Sequence, residues 1–284
     1  MFASPSYATS QRTMKLVVVA IVALMMISGI DALRVASVQM TPLDNSTGHF
    51  ATAMDNANFI ATVAANYSNQ VDLIVFPEYA LYGSYSMDSA CSQNGNHMPD
   101  GFCEVVGVAG DTVNCELAGS SMLSAIACGP AASQTTVSYN ACEMVPANAT
   151  HGTEYFNTQV VVKGGVILAK YRKYHVWAKK CFNSPSLEVV KFQVQNTTFG
   201  LFTCFDILFK DPKQILVDEG VKFFSYSSAI PLIARDAVKL FSWTNGVTVV
   251  NSNLQSGQTS VIQKGTTLSD CSGQSGLCVA IADV

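Results

Sequence analysis

The chain has 284 residues, of which 49% are hydrophobic and 13% charged, so it can bury a large core and is not mainly disordered. It carries 16 Lys and Arg against 20 Asp and Glu, with no run of like charges. A net charge of −4 without a basic stripe excludes nucleic acid as an expected partner.

The N-terminus carries a targeting pattern. Met-Lys at 14–15 precedes an unbroken apolar run over 16–27, which small residues follow up to Ala32. This order is typical of a secretory signal peptide, so 1–32 is predicted to be a signal peptide and 33–284 the mature domain. The apolar run is shorter than the roughly 20 residues that span a bilayer, so no stable membrane span is expected. Tethering by an uncleaved signal anchor is the alternative, and a start at Met14 instead of Met1 stays open.

Two further features predict a secreted glycoprotein. Four Asn-x-Ser/Thr sequons are candidate glycosylation sites: Asn45, Asn66, Asn148 and Asn196. The chain also has nine cysteines, a high number for a protein kept in a reducing cytosol. In an exported protein, eight of them could form four disulfides and one would stay a free thiol, although the sequence leaves the pairing open.

The first predicted elements alternate between strand and helix: a strand over 33–40, a helix over 47–66 and a strand over 71–76. The last of these reads Val-Asp-Leu-Ile-Val-Phe, a near-continuous apolar run that suits a strand buried on both faces. This alternation predicts an α/β fold in which helices cover a sheet.

The next stretch is rich in Ser, Gly, Asn and Cys and has little periodicity. Five cysteines lie between Cys91 and Cys142, both included. We interpret about 84–148 as a disulfide-stapled insertion that holds a helix at 121–128 and a strand within 134–144. Regular structure then returns as a predicted hairpin, with strands at 157–162 and 166–171 around Lys-Gly-Gly.

The remaining chain repeats the alternation with short connections, which favours an α/β sandwich. The predicted elements are strand 198–203, helix 212–219, strand 221–226, helix 232–243, strand 247–251 and strand 277–282. Cys271 and Cys278 could close the loop before the last strand. No repeat or linker indicates a domain boundary after residue 33.

Three polar residues stand where predicted buried strands end. Glu78 follows Val-Phe-Pro, Lys173 follows the second hairpin strand, and Cys204 ends Phe-Gly-Leu-Phe-Thr. In α/β sheets, sites are built at the carboxyl ends of strands. Each residue also has a simpler interpretation, as a cap, a solvated lysine or a core cysteine.

Together these residues supply the groups that acyl transfer requires. The Cys204 thiolate is the candidate nucleophile and Glu78 the candidate base that takes its proton. Lys173 would stabilise the oxyanion of the tetrahedral intermediate, together with the backbone N–H of Phe205.

Three blocks around these residues resemble the signature sequences of the nitrilase, or carbon–nitrogen hydrolase, superfamily. They are Val-Phe-Pro-Glu-Tyr at 75–79, Ala-Lys-Tyr-Arg-Lys-Tyr-His at 169–175 and Phe-Thr-Cys-Phe-Asp at 202–206. The signal peptide, the cysteine-rich insertion and Asp-Ile-Leu-Phe-Lys-Asp-Pro at 206–212 are similar to the vanin (pantetheinase) and biotinidase branch. The resemblance covers about 33–251.

This resemblance implies a four-layer αββα sandwich of the nitrilase type and a Glu-Lys-Cys triad at Glu78, Lys173 and Cys204. It implies no metal or organic cofactor, and homo-oligomers are common in the family. The implied function is a secreted amidohydrolase whose partner is a small-molecule amide. Linear amides of vitamin-type conjugates would be cleaved through a Cys thioester, as pantetheine to pantothenate and cysteamine, or as biocytin-like amides.

Two departures from the family pattern keep an alternative open. No second glutamate follows Lys173 before Glu188, so a carboxylate that supports the lysine either comes from elsewhere, with Glu154 as one candidate, or is absent. Vanins and biotinidase also have a further C-terminal domain, whereas this chain stops at Val284 without a hydrophobic tail for a lipid anchor. The alternative is a non-catalytic secreted glycoprotein of nitrilase fold that binds a small ligand or a protein. A thiol redox protein is disfavoured because the sequence has no Cys-x-x-Cys.

Four residues are candidates for the substrate pocket: Tyr79, Tyr82, His175 and Trp177. For His175 and Trp177 a place in the core or at an edge is the simpler interpretation. Asp206 is expected to brace the turn that carries the nucleophile through backbone N–H groups. The four histidines show no metal-ligand spacing, so metal binding is not expected.

Overall fold

The fold is taken from a computed structural model that describes 32–43, 50–83, 91–92, 94, 98–99, 101–117, 119–129, 134–177, 181–231, 233–254 and 257–284. Leu33–Val284 forms one compact unit. The predicted signal peptide up to residue 31 and the sequon at Asn45 lie outside the described residues.

The strands form two sheets. Those of the first sheet are β1 (Arg34–Gln39), β2 (Leu73–Val75), β3 (Thr136–Val145), β4 (Glu154–Lys163), β5 (Val166–Arg172) and β12 (Cys278–Asp283). Those of the second are β6 (Lys191–Val194), β7 (Thr197–Thr203), β8 (Phe223–Ser228), β9 (Thr248–Asn253), β10 (Ser260–Gln263) and β11 (Thr266–Asp270). The helices are α1 (Phe50–Tyr67), α2 (Met122–Ala127), α3 (Lys213–Asp218) and α4 (Ala234–Asn245).

Each sheet has a parallel centre and antiparallel edges. The first has the order β12-β1-β2-β3-β4-β5, with β1, β2 and β3 parallel. The second has the order β11-β10-β9-β8-β7-β6, with β7, β8 and β9 parallel. Parallel strands need helical crossovers, and these cover the outer face of each sheet.

Three apolar clusters define four layers. The cluster between the sheets joins Val161 and Tyr171 of the first sheet to Leu201 and Val250 of the second. A second cluster packs α1 and α2 on the outer face of the first sheet, and a third packs α4 on the second sheet. Central strands such as β2 and β9 are therefore buried on both faces, which explains their continuous apolar runs. This arrangement confirms the predicted αββα sandwich.

The predicted elements match the structure to within three residues at each end wherever the chain is described. Three strands were not predicted: β6, β10 and β11. β6 and β11 alternate between exposed and more buried residues, and β10 has only four residues. Such short or polar strands carry little periodic signal and form only because a neighbouring strand pairs with them.

The cysteine-rich stretch contributes directly to the first sheet. β3, at its end, lies between β2 and β4 in the interior of that sheet. Earlier in the stretch, Glu104 pairs with the part of β3 that extends beyond β2. Its N–H donates to Cys142 O at 3.1 Å, and its O accepts from Met144 N at 2.8 Å. This part of the predicted insertion is thus integrated into the fold.

Eight of the nine cysteines form four disulfides: Cys91–Cys181, Cys103–Cys142, Cys115–Cys128 and Cys271–Cys278. The last closes the loop before β12, as predicted. Cys204 is the free cysteine and is buried. The odd cysteine is therefore the one that the sequence identifies as the candidate nucleophile.

Three of the four sequons lie in the described chain, at Asn66, Asn148 and Asn196, and all three residues are exposed. Exposure is what a glycan requires, and glycosylation itself remains a prediction. Within the described ranges, no helix has the length and apolar character needed to cross a membrane.

Candidate active site

Glu78 and Lys173 form an ion pair that is closed off from solvent. Lys173 Nζ donates to Glu78 Oε1 at 2.6 Å, and the two side chains are 1% and 0% exposed. Glu78 follows β2 by three residues, and Lys173 directly follows β5, which its N–H extends by donating to Asn157 O at 2.8 Å. Burying two opposite charges is costly, so such a pair is weak support for stability and a marker of function.

Cys204 lies at the junction between β7 and the 3₁₀ turn Cys204–Leu208. Its φ is 49°, and Tyr79, next to Glu78, has a φ of 61°, so both adopt the left-handed conformation that side chains disfavour. Tyr226 OH donates to Cys204 O at 2.9 Å and holds the turn. Strained residues of this kind cluster at functional sites, where the surrounding structure enforces them.

The electrostatics of the site favour a neutral thiol and a charged lysine. Burial and the neighbouring Glu78 charge together raise the pKa of Cys204 to about 12, although the Lys173 charge opposes the shift. Burial alone would lower the pKa of Lys173, but its acidic neighbours Cys204 and Glu78 raise it well above its ordinary value. The thiolate therefore forms only when a neighbouring base takes its proton, and Glu78 is placed to do so.

Two asparagines complete the surroundings of Glu78, and sequence reasoning missed both. Asn157 Nδ2 donates to Glu78 Oε1 at 2.8 Å and to Tyr79 OH at 3.2 Å. Asn140 Nδ2 donates in turn to Asn157 Oδ1 at 2.6 Å. Their only signal in the sequence is that each is a polar residue inside a predicted strand, which does not indicate what it contacts.

Glu154 does not support Lys173, so that candidate was wrong. Its carboxylate lies 3.8 Å from the His151 ring and is partly exposed. Among the described residues, the carboxylate paired with Lys173 is Glu78. The lysine is therefore positioned by one carboxylate, which Asn157 also contacts.

Asp206 connects the nucleophile turn to the strand end that carries Lys173. Its Oδ2 accepts from Thr203 N at 3.0 Å and from Tyr171 OH at 2.7 Å. Its Oδ1 accepts from His175 N at 2.9 Å and lies 2.9 Å from His175 Nδ1. The expected brace of the turn is present, and it also holds the segment that follows β5.

Several aromatic side chains pack against one another around the turn that carries Cys204. His175 stacks on Phe209 at 3.8 Å, and Phe209 meets the edge of Phe205 at 5.2 Å. Trp177 is 70% exposed and meets Phe205 edge-on at 5.2 Å. Of the pocket candidates, Trp177 thus has surface free for a ligand, while the His175 ring is held by Asp206 and Phe209.

The two tyrosine candidates have different surroundings. Tyr79 is 9% exposed and its OH accepts the hydrogen bond from Asn157 at the ion pair. Tyr82 is fully buried, stacks on Phe102 at 4.6 Å and contacts Met122 Sδ of α2. Tyr82 therefore belongs to the core beneath α2, and Tyr79 to the site.

The site holds a thiol, a carboxylate and an ammonium group in a buried pocket, with the Phe205 N–H at the start of the adjoining turn. These are the groups that acyl transfer through a covalent intermediate requires. Among the residues that the structure describes, no cluster of three or more His, Cys, Asp or Glu side chains could hold a metal ion.

Comparison with known proteins agrees with this chemistry. The profile of the carbon-nitrogen hydrolase family matches residues 34–256. Biotinidase from Takifugu rubripes is 28% identical over 222 residues, which cover 72% of this chain and 43% of that protein. Vanin-like protein 1 from Drosophila melanogaster is 37% identical over 92 residues, covering 30% of this chain and 16% of that protein. The chain thus spans less than half the length of these relatives.

The fold is also that of solved enzymes. An amidase of the nitrilase superfamily from Nesterenkonia superposes with a TM-score of 0.66, covering 89% of this chain and 90% of that one. At 18% sequence identity, this similarity establishes the shared fold and carries no argument about substrate.

Proposed function

Because the chain belongs to the carbon-nitrogen hydrolase family, in the vanin and biotinidase branch of the nitrilase superfamily, we propose that it hydrolyses linear amides of small vitamin-type conjugates. Pantetheine and biocytin-like amides are the candidate substrates. The observation that carries the proposal is the buried Lys173–Glu78 pair at 2.6 Å beside Cys204, the free thiol of the described chain.

In the first step, Glu78 takes the proton of the Cys204 thiol, and the sulfur attacks the amide carbon. The carbonyl oxygen becomes an oxyanion, which Lys173 and the Phe205 N–H stabilise. Because Glu78, Lys173 and Cys204 are buried, these charges act more strongly than they would in water. The high pKa of the thiol makes the base indispensable, since little thiolate exists before the proton moves.

In the second step, Glu78 passes the proton to the leaving amine and the C–N bond breaks, which leaves a thioester on Cys204. Glu78 then takes a proton from a water molecule, whose oxygen attacks the thioester carbon. The acid departs and the proton returns to the thiolate. Glu78 thus alternates between base and acid at one position.

The substrate class is supported by the relatives that the chain resembles, which are named biotinidases and vanin-like proteins. We also propose that residues 1–32 direct secretion. Four disulfides and three exposed sequons support this, because disulfides persist in oxidising compartments.

The proposal is tested by offering pantetheine, biocytin and a panel of small amides to protein produced through the secretory route, and measuring release of the amine. Cys204→Ala is the matched variant, since it removes the thiol and leaves the fold in place. We expect turnover by the wild type and loss of at least about a thousandfold in the variant. Equal inertness of both proteins across the panel would instead favour a non-catalytic binding protein.

A further inference from the structure

We propose that Asn157 is a positioning residue that gives the two carboxylate oxygens of Glu78 different tasks. Glu78 Oε1 is held by two donors, Lys173 Nζ at 2.6 Å and Asn157 Nδ2 at 2.8 Å. Glu78 Oε2 is buried and has no hydrogen-bond partner among the described residues. The inference rests on the proposed amidase function, because it assigns Oε2 as the oxygen that accepts the Cys204 proton.

An unpaired buried carboxylate oxygen is costly, so proteins rarely leave one without a reason. Here the cost has a function, because a base must keep a lone pair available for the proton that it receives. Asn157 and Lys173 both bond to Oε1, which keeps the carboxylate from rotating and directs Oε2 toward the reaction. Glu78 lies close enough to Cys204 that, after burial, its charge is the next cause that raises the pKa of the thiol.

The orientation of the Asn157 amide follows from a chain of hydrogen bonds that begins at the backbone. Tyr79 N–H donates to Asn140 Oδ1 at 3.1 Å, and Asn140 Nδ2 donates to Asn157 Oδ1 at 2.6 Å. A backbone N–H can only donate, so the first bond determines which end of each amide accepts. Asn157 must therefore present its Nδ2 donor to Glu78.

The neutrality of Asn157 is as important as its geometry. The ion pair consists of one negative and one positive side chain, Glu78 and Lys173. A carboxylate at position 157 would place a second negative charge next to Oε1, and two such groups share a proton instead of both ionising. The proton would then occupy the base at neutral pH. The amide holds Oε1 without adding a charge.

Alkylation of Cys204 by iodoacetamide tests the inference without an amide substrate. The other eight cysteines are in disulfides, so the reagent reports on one thiol. We expect Asn157→Asp to shift the acid limb of the alkylation rate, and of kcat/KM where an amide is turned over, upward by about one pH unit or more. Asn157→Ala should lower kcat about tenfold or more with little change in KM.

Two further variants separate positioning from structure. Asn140→Asp keeps the acceptor for Tyr79 N–H and removes the donor to Asn157, so we expect a smaller shift in the same direction. Asn251→Ala is the matched control, because Asn251 is equally buried and its Nδ2 donates to Gln258 O at 2.7 Å and Ser260 Oγ at 3.1 Å in the second sheet. It should lower stability and leave the alkylation profile unchanged.

The outcomes are distinct. If Asn157→Asp and Asn140→Asp alkylate with the wild-type pH profile, Asn157 has only a structural role and the inference is overturned. Should Asn157→Asp fail to fold, the Asn140→Asp profile decides. A shifted profile in a protein that hydrolyses no amide would support the positioning role and reject the proposed function.

Discussion

Two buried glutamates, Glu78 after β2 and Glu143 in β3, show how similar side chains acquire different roles. Glu78 bonds to one cation and one amide, both at Oε1. Glu143 accepts four bonds: Lys170 Nζ and Arg172 Nη2 reach Oε1, both at 2.7 Å, and Arg172 Nε and Thr158 Oγ1 reach Oε2 at 2.9 and 2.8 Å. Asn157 and Thr158 are successive residues of β4, so they serve sites on opposite faces of the sheet.

The two glutamates differ in whether both of their carboxylate oxygens accept hydrogen bonds. Burial alone would raise the pKa of Glu143, but bonds from Arg172 and Lys170 lower it below its ordinary value. No lone pair of Glu143 is left for a reaction. Lys170 also donates to Val106 O at 3.1 Å. The cations around Glu143 therefore also bind the irregular cysteine-rich stretch to the first sheet. A saturated carboxylate stabilises the fold, whereas one with a free oxygen can act as a base.

The largest expected effect tests the reactive member of the pair. Glu78→Gln keeps the size of the side chain and removes the base, so kcat/KM should fall by about a thousandfold or more. Steady-state kinetics check this loss, with thermal unfolding to verify that the variant is folded. Near-normal turnover would exclude Glu78 as the base.

The second prediction concerns the saturated member. Glu143→Ala leaves Lys170 and Arg172 without their anion, so the free energy of unfolding should fall by about 3 kcal/mol, measured with urea. Turnover per folded molecule should be unchanged. The exposed pair Lys191–Glu219, at 2.8 Å, gives the control, since Lys191→Ala should cost about 1 kcal/mol or less. A loss of kcat with unchanged stability would reverse the assigned roles.

The smallest expected effect concerns the pH dependence of stability and a third glutamate, Glu104, which has no salt bridge among the described residues. Glu104 accepts from Ser121 Oγ at 3.0 Å and from Leu123 N at 2.8 Å, and burial raises its pKa to about 7. The folded protein then binds a proton that the unfolded chain releases, so stability should decrease as the pH rises from about 5 to about 7.

Glu104→Gln cannot titrate and keeps an acceptor for Leu123 N, so it should remove this slope. Denaturant unfolding at pH 5, 6 and 7 for both proteins provides the measurement, and parallel slopes would contradict it. Glu143 should behave oppositely: its contribution is complete above its ordinary pKa and is lost only as the pH falls below about 4.

Local patterns predicted most of the fold. The apolar runs before Glu78 and Cys204, and the hairpin before Lys173, are strong periodic signals, and the structure has β2, β7 and β5 there. β6 and β11 were missed because their polar alternation depends on pairing at a sheet edge. The sequence of the cysteine-rich stretch did not indicate that β3 lies in the interior of the first sheet.

The sequence by itself indicated an α/β sandwich and the three signature blocks, because these depend on short stretches of neighbouring residues. The resemblance of those blocks to the nitrilase superfamily then implied the αββα class and the candidate triad. Only the tertiary structure decided which cysteines pair and that Asn157, not Glu154, accompanies Lys173 at Glu78. It also decided that Glu78 Oε2 has no hydrogen-bond partner among the residues that the structure describes. Asn157 and Glu78 are 79 residues apart, and the bond between them exists only once β4 is laid beside β3. Hydrogen-bond partners at such separations are set by packing, which local periodicity does not encode.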